Sequence, residues 1–407
     1  MSDTTTYDYK VKDHLGKLQS GKVQGSSNAA VAEKLREMGY TPLDIRAQAS
    51  GGMQRELKIG LPKRVKIKDV AIFARQFATM ISAGLSMTRS LSILSEQTEN
   101  LALRKIVRTV KADVEGGKSL SEAMSSHQKV FPPLMVNMTR AGEVGGFLDS
   151  TMLQIAANYE AEVKLRGKVK SAMTYPVVVF IMALLMCSAM LLFIVPVFQN
   201  MFTNLGGQLP LPTQILVYLS TGLRYGFPFI LAGTIASIWA WRKYGHTLPV
   251  RERLDPIKLK MPVFGPLVQK IALARFARNF STLLSSGVPI LQCLDIVADT
   301  TGSTVIAKAL REVQDSVRAG ETISGPLTKH AVFPPMIVQM MAVGEDTGAM
   351  DQMLEKIAEF YDQEVEATTE ALTSLIEPLM IAVLGVVVGG MIIALYMPIF
   401  KVFDLIG

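Results

Sequence analysis

The chain has 407 residues, a net charge of +7, 49% hydrophobic residues and only 19% charged ones. That length allows two or three domains, each large enough to bury a core. Ordinary soluble domains carry about 25% charged residues, so a uniformly water-facing surface is excluded. The basic excess flanks apolar runs, which argues against a nucleic-acid face.

The first residues carry Asp3, Asp8 and Lys10 and no apolar core, so they do not read as a signal peptide. Tyr7–Val11 and Leu18–Val23 read as short strands joined through Gly16, Asn28–Met38 as a helix ended at Gly39, and Thr41–Ile45 as a last strand. This α/β module, residues 1–48, is too short to bury much core and is expected to meet a partner rather than to fold strongly. Ala49-Ser50-Gly51-Gly52 opens a flexible linker over residues 49–66.

Residues 67–170 read as a helical domain. Phe73, Phe77, Met80 and Ile81 form one apolar helix face, Leu91 and Leu94 mark the next helix, and Leu103, Ile106, Val107 and Val110 a third, stopped at Gly116-Gly117. Ser119 and Glu122 have capping-box spacing, with Glu122 expected to reach back. Pro132-Pro133 starts a helix through Leu134 and Met138 that Gly142 is expected to break. A long helix then leads from Phe147 past Tyr159 into an uncharged run.

No Asp, Glu, Lys or Arg occurs from Ser171 to Leu223 or from Pro378 to Phe400. Three membrane spans are predicted: residues 171–198, 222–241 and 375–400. Helices of this size rise about 30–35 Å, enough to cross the hydrocarbon layer. Residues 199–221 read as an outer loop and interfacial segment, and 242–269 as a basic linker. Lys164, Arg166, Lys168 and Lys170 precede the first span, and Arg242, Lys243, Arg251 and Arg253 follow the second, whereas Gln199–Pro212 is uncharged. This asymmetry puts the N-terminal side and the middle region in the cytoplasm and the tail, residues 401–407, outside. Gly385, Gly389 and Gly390 make a small-residue patch where another helix could approach.

The helical domain is written twice, at an offset of about 203 residues. Phe73-Ala74-Arg75-Gln76-Phe77 matches Phe276-Ala277-Arg278-Asn279-Phe280, and Phe131-Pro132-Pro133 matches Phe333-Pro334-Pro335. Gly142-Glu143-x-x-Gly146 matches Gly344-Glu345-x-x-Gly348, Tyr159-Glu160 faces Tyr361-Asp362, and Pro196-Val197-Phe198 faces Pro398-Ile399-Phe400. The second domain covers residues 270–374. Each unit is a domain followed by a span, and the middle span returns the chain so that both copies share one compartment. The fold class is therefore an all-α membrane protein, with two homologous antiparallel bundles of about six helices each beside the small α/β module.

Catalytic chemistry is not indicated. Glu115-Gly116-Gly117-Lys118-Ser119 resembles the end of a phosphate-binding loop, but Ala112 stands where the pattern needs glycine, and a helix precedes it. The histidines His14, His127, His246 and His330 lack ligand spacing, and neither Cys187 nor Cys293 has a metal-ligand spacing. No cofactor or metal is expected. Glu143 and Glu345 could accept N–H bonds at a helix N-terminus, hold a hard cation with carboxylates such as Asp149 or Asp351, or meet a basic partner. No span carries a central charge, which counts against a solute transporter, the competing class.

In organisation the chain resembles the inner-membrane platform family shared by type IV pilus assembly (the PilC-like proteins) and type II secretion. The resemblance rests on the duplicated Phe-Ala-Arg-x-Phe, Phe-Pro-Pro, Gly-Glu-x-x-Gly and Pro-x-Phe segments and covers nearly the whole chain. It implies a non-enzymatic scaffold in the inner membrane that couples a cytoplasmic hexameric assembly ATPase to pilin or pseudopilin subunits. Other inner-membrane assembly proteins and further copies of the chain are implied as partners. By position, Arg75, Arg278 and the turns Gly142, Glu143, Gly146 and Gly344, Glu345, Gly348 are the candidate coupling or structural residues.

Overall fold

The computed structural model describes residues 5–12, 18–47, 64–204, 209–245 and 247–406. Two units divide the chain after Lys63. In the first, β1 (Thr5–Lys12) pairs antiparallel with β2 (Leu18–Gly25) on one edge; helix α1 (Asn28–Glu37) follows, and β3 (Thr41–Ala47) pairs antiparallel with the other edge of β1. Strand alternation turns Tyr7 and Val11 to one face, where Val31 and Leu35 of α1 cover them. The Ser27 hydroxyl accepts the Ala30 N–H and starts α1. The module thus has a small core of its own, more than expected of so short a segment. Gly16, His14 and the expected linker from Ala49 to Lys63 lie outside the described residues.

The second unit begins with α2 (Ile67–Ser82), α3 (Met87–Gln97), α4 (Leu101–Glu115), α5 (Leu120–Ser125), α6 (Pro133–Gly145) and α7 (Leu148–Ala189). A π-helical turn, Met190–Ile194, joins α7 to α8 (Val195–Asn204). There follow α9 (Leu211–Tyr244), α10 (Leu248–Lys260), α11 (Phe264–Ser285), α12 (Ile290–Thr300), α13 (Thr304–Arg318), α14 (Ser324–Leu327), α15 (Pro335–Thr347) and α16 (Met350–Ile406). Two six-helix bundles, α2–α7 and α11–α16, carry the two repeats. They are not separate globules: one contiguous core spans both, with Phe77, Phe131, Phe276 and Phe280 fully buried.

Helices overrun several expected boundaries. Residues 199–204 continue α8, and residues 211–221 are the first turns of α9. The basic linker is folded as α10 and the start of α11, and α16 extends through the tail to Ile406. Residues 199–204 and 211–221 are uncharged, and an uncharged stretch satisfies its backbone best within a helix, so α8 and α9 run through them.

Three helical stretches are long and apolar enough to cross a membrane: Leu148–Met201, Leu211–Tyr244 and Met350–Met397, with mean hydropathy of 3.0, 1.4 and 2.6 over their best windows. Their apolar side chains point outward; Phe229 is 79% and Val386 76% exposed, the reverse of a water-soluble helix. The duplicated prolines explain how α9 is held. A proline offers no N–H, so Pro398 leaves the Ala394 carbonyl without its helical donor, and the Thr213 hydroxyl donates to it at 2.5 Å. In the π turn, where bonds run to the fifth residue on, Pro196 likewise leaves the Leu191 carbonyl free, and the Ser220 hydroxyl donates to it at 2.6 Å. Thr213 and Ser220 share one face of α9, two turns apart, so one helix serves both repeats.

Candidate functional site at the duplicated helix corners

The repeated motifs converge, copy by copy, on the same construction. Phe73 stacks on Phe77 with ring centroids 5.9 Å apart and meets Phe131 of the Phe-Pro-Pro segment at 5.7 Å. In the second copy Phe276 meets Phe280 at 5.9 Å and Phe333 at 5.3 Å. Segments some fifty residues apart in sequence are thereby joined by aromatic packing.

Arg75 is clamped on Glu160 by two parallel bonds, Nε to Oε1 at 2.7 Å and Nη2 to Oε2 at 2.6 Å. Its counterpart Arg278 donates to Asp362. Each pair ties the first helix of a bundle to the helix that continues into an apolar span. The bond from Arg75 holds the Glu160 carboxyl below its usual range. Behind Glu160, burial raises the Tyr159 phenol well above its ordinary value.

The two glutamates do the same thing in both copies. Glu143 accepts the N–H groups of Leu120 at 2.5 Å and Ser121 at 3.0 Å, the first amides of α5. Glu345 accepts from Ile323 N at 2.8 Å, Ser324 N at 3.2 Å and the Ser324 hydroxyl at 2.9 Å. Both glutamates thus accept N–H bonds at a helix N-terminus, one of the three roles open to them in sequence. Ser119 accepts the Glu122 N–H at 3.1 Å, but the reciprocal half of the expected capping box is not made. Glu143 occupies that end of α5 instead. Among the described residues no group of three or more His, Cys, Asp or Glu could hold a metal ion.

The glycines beside the glutamates set how closely the next helix packs. Gly142 does not break α6; the helix runs through it to Gly145. A methyl group there would stand 2.7 Å from Thr151 Oγ1 and 3.2 Å from the Leu148 Cα, so glycine lets α6 and α7 touch. At Gly344 it would meet the Met350 Cα at 3.0 Å. Gly146 and Gly348 end their helices in the left-handed conformation, with φ of 76° and 70°.

A second set of residues, at the seam between the repeats, carries no motif. Asn158 of α7 donates to Asn279 Oδ1 at 3.3 Å and Thr282 Oγ1 at 3.2 Å of α11. Arg275 of α11 clamps Glu162 of α7 at 2.7 and 3.0 Å, and Ser286 donates to Gln154 at 2.6 Å. Lys168 of α7 pairs with Glu366 of α16. The signal was present in the differences between copies rather than in their matches. Asn158 corresponds to Phe360 and Arg275 to Ile72, and those two apolar counterparts are exposed.

The comparison with known proteins accords with this duplication. The profile described as type II secretion system protein F matches residues 73–196 and again 276–398, each match running from a bundle into its span. The chain belongs to that family. The profile of the family's N-terminal domain matches residues 2–46. The type IV pilus assembly protein PilC of Thermus thermophilus is 42% identical, covering 97% of this chain and 98% of its own length. The protein of the same name from Myxococcus xanthus is 41% identical over 98% and 95%. The type II secretion system protein F of Vibrio cholerae is 29% identical over 98% and 99%. This protein F family member therefore has full-length relatives named for both machines.

Proposed function

We propose that this chain is the inner-membrane platform of a type IV pilus assembly machine, a scaffold that receives mechanical work from a cytoplasmic ATPase and passes it to pilin subunits. The observation that carries the reading is continuity. Helix α7 runs 42 residues and α16 57 residues, each from a bundle core into an apolar span without a break. A displacement of either bundle therefore moves a membrane helix with it. Arg75, Arg278, Glu143 and Glu345 are positioning residues in this account: the arginines tie α2 to α7 and α11 to α16, and the glutamates hold α5 on α6 and α14 on α15. The bundles and the N-terminal module face the cytoplasm, where an assembly ATPase and other assembly proteins meet them, and further copies of the chain complete the platform. Identities of 42% and 41% to pilus proteins, against 29% to a secretion protein, support the pilus machine over the secretion machine.

Deleting the chain in its own organism should abolish surface pili and leave exoprotein secretion intact; loss of secretion with normal pili would assign it to the secretion machine instead. Reintroduced chain with Glu143→Lys or Glu345→Lys should reach the membrane without restoring pili. Normal pili in both variants would sink the positioning role. Affinity capture of tagged chain from membranes should bring down a hexameric ATPase and pilin.

A further inference from the structure

Helix α10 is built inside out for a water-facing connector. Its inward side is charged: Asp255, only 6% exposed, accepts Lys258 Nζ at 2.9 Å and both the N–H and hydroxyl of Thr304 at 3.1 Å. Its outward side carries Pro249, Arg253, Ile257 and Lys260 at helical spacing, with Ile257 59% exposed. Leu248 before it and Met261 and Val263 after it are exposed too. Arg253 and Lys260 form no ion pair with any described residue.

Both ends of this helix are tied close to the apolar layer. Only Gly245 to Thr247 separate its start from α9, whose last turns carry Trp239, Trp241, Arg242 and Lys243. At its other end, Phe264 and Leu267 of α11 pack with Leu165 and Val169 of α7 and Leu372 of α16. Those residues stand just before the uncharged runs of the first and third spans. The corner between α10 and α11 is sharp, with Val263 at φ 71°, a conformation a β-branched residue rarely takes.

We propose that the outward face of α10, with the aromatic and basic end of α9, seats on the anionic phospholipid headgroups of the membrane surface where α9 emerges. Exposed isoleucine and methionine beside unpaired arginine and lysine are the composition of a helix lying in a headgroup layer, with apolar side chains below and cations at phosphate level. Tryptophan at the end of the adjoining span marks the same depth. The inference rests on α9 crossing the membrane and not on which end of the chain faces the cytoplasm. A reversed orientation would change the side on which labels react and leave the depth of α10 unaltered.

The test uses full-length protein in lipid nanodiscs, with a nitroxide at Ile257→Cys and a control at Val144→Cys, both in a Cys187→Ser background. Cys293 stays silent, being fully buried with its thiol pushed up to about 12. In discs containing anionic phosphatidylglycerol, the label at 257 should gain oxygen and lose aqueous nickel accessibility, their ratio rising roughly three-fold over phosphatidylcholine discs. The label at 144 should not change. The double variant Arg253→Glu, Lys260→Glu should return 257 to the aqueous reading. A label at 257 as water-accessible as that at 144 in both lipids would overturn the proposal. So would protection that is the same with and without the anionic lipid, or that survives the double reversal.

Discussion

Glu143 and Glu345 each satisfy two amide groups that begin a short helix, one with each carboxylate oxygen. A hydrogen bond to a charged group contributes about 1.5–3 kcal/mol. Glu143→Ala should therefore lower stability by roughly 2–4 kcal/mol, and Glu143→Gln by less, because one carboxamide oxygen can still accept. Thermal melts in detergent followed by circular dichroism would show the order; equal melting temperatures would refute it. The arginine clamps have a pH signature. Glu160 titrates below its ordinary 4.5 because Arg75 bonds its charged form. Its contribution is thus complete above the unfolded value and is lost as pH falls through the folded one. Both side chains are about two-fifths exposed, so the effect is small. Arg75→Gln should flatten the acid limb of stability against pH and leave the neutral region nearly unchanged.

Among the helices, the two repeats share one apolar core, and polar pairs at the seam add to it. Asn158 and Asn279 are buried at 6% and 8% exposure, and each finds a hydroxyl or amide across the seam. Polar pairs of this kind fix which surfaces meet, because a slip would leave them unsatisfied. Arg275→Glu should open the seam by setting a carboxylate against Glu162, and the exchange Glu162→Arg with Arg275→Glu should restore part of it. Limited proteolysis between α10 and α11 reports both. In the membrane, Thr213 and Ser220 close carbonyls that proline leaves open. Interhelical bonds there are worth about 0.6–1.7 kcal/mol, so Thr213→Val with Ser220→Ala should weaken α9 docking by roughly 1–3 kcal/mol in a detergent unfolding series.

For the molecule as a unit, two bundles with one core cannot move independently far from the seam, while each is bolted to its own membrane helix. Pro176 and Pro378 sit at matching places in α7 and α16, where charged sequence gives way to apolar sequence. A helix that has lost one backbone bond bends more readily there. Both bundles must then lie on one side of the membrane. Cysteines introduced at Val144 and Val343, both exposed, should react with an impermeant reagent in inverted vesicles and remain unlabelled in intact cells. Labelling of the two from opposite sides would defeat the proposed function altogether.

The spans, the duplicated bundles and the small N-terminal module are legible in residue order because each rests on a local property: charge-free length, a repeated motif, or alternating apolar positions. Even the anchoring role of Glu143 and Glu345 is visible there as one option, since an acid near a helix end has few uses. The shared core, the seam at Asn158 and Arg275, and the pairing of Thr213 and Ser220 with two orphaned carbonyls are not. Each depends on which faces meet between helices distant in sequence, 29 residues apart for Ser220 and Leu191 and more than a hundred for the other pairs, and nothing in a local pattern carries that choice. Gly142 shows the difference most plainly. Read alone it is a helix breaker; packed against Leu148 and Thr151, it is the one residue small enough to keep two helices in contact.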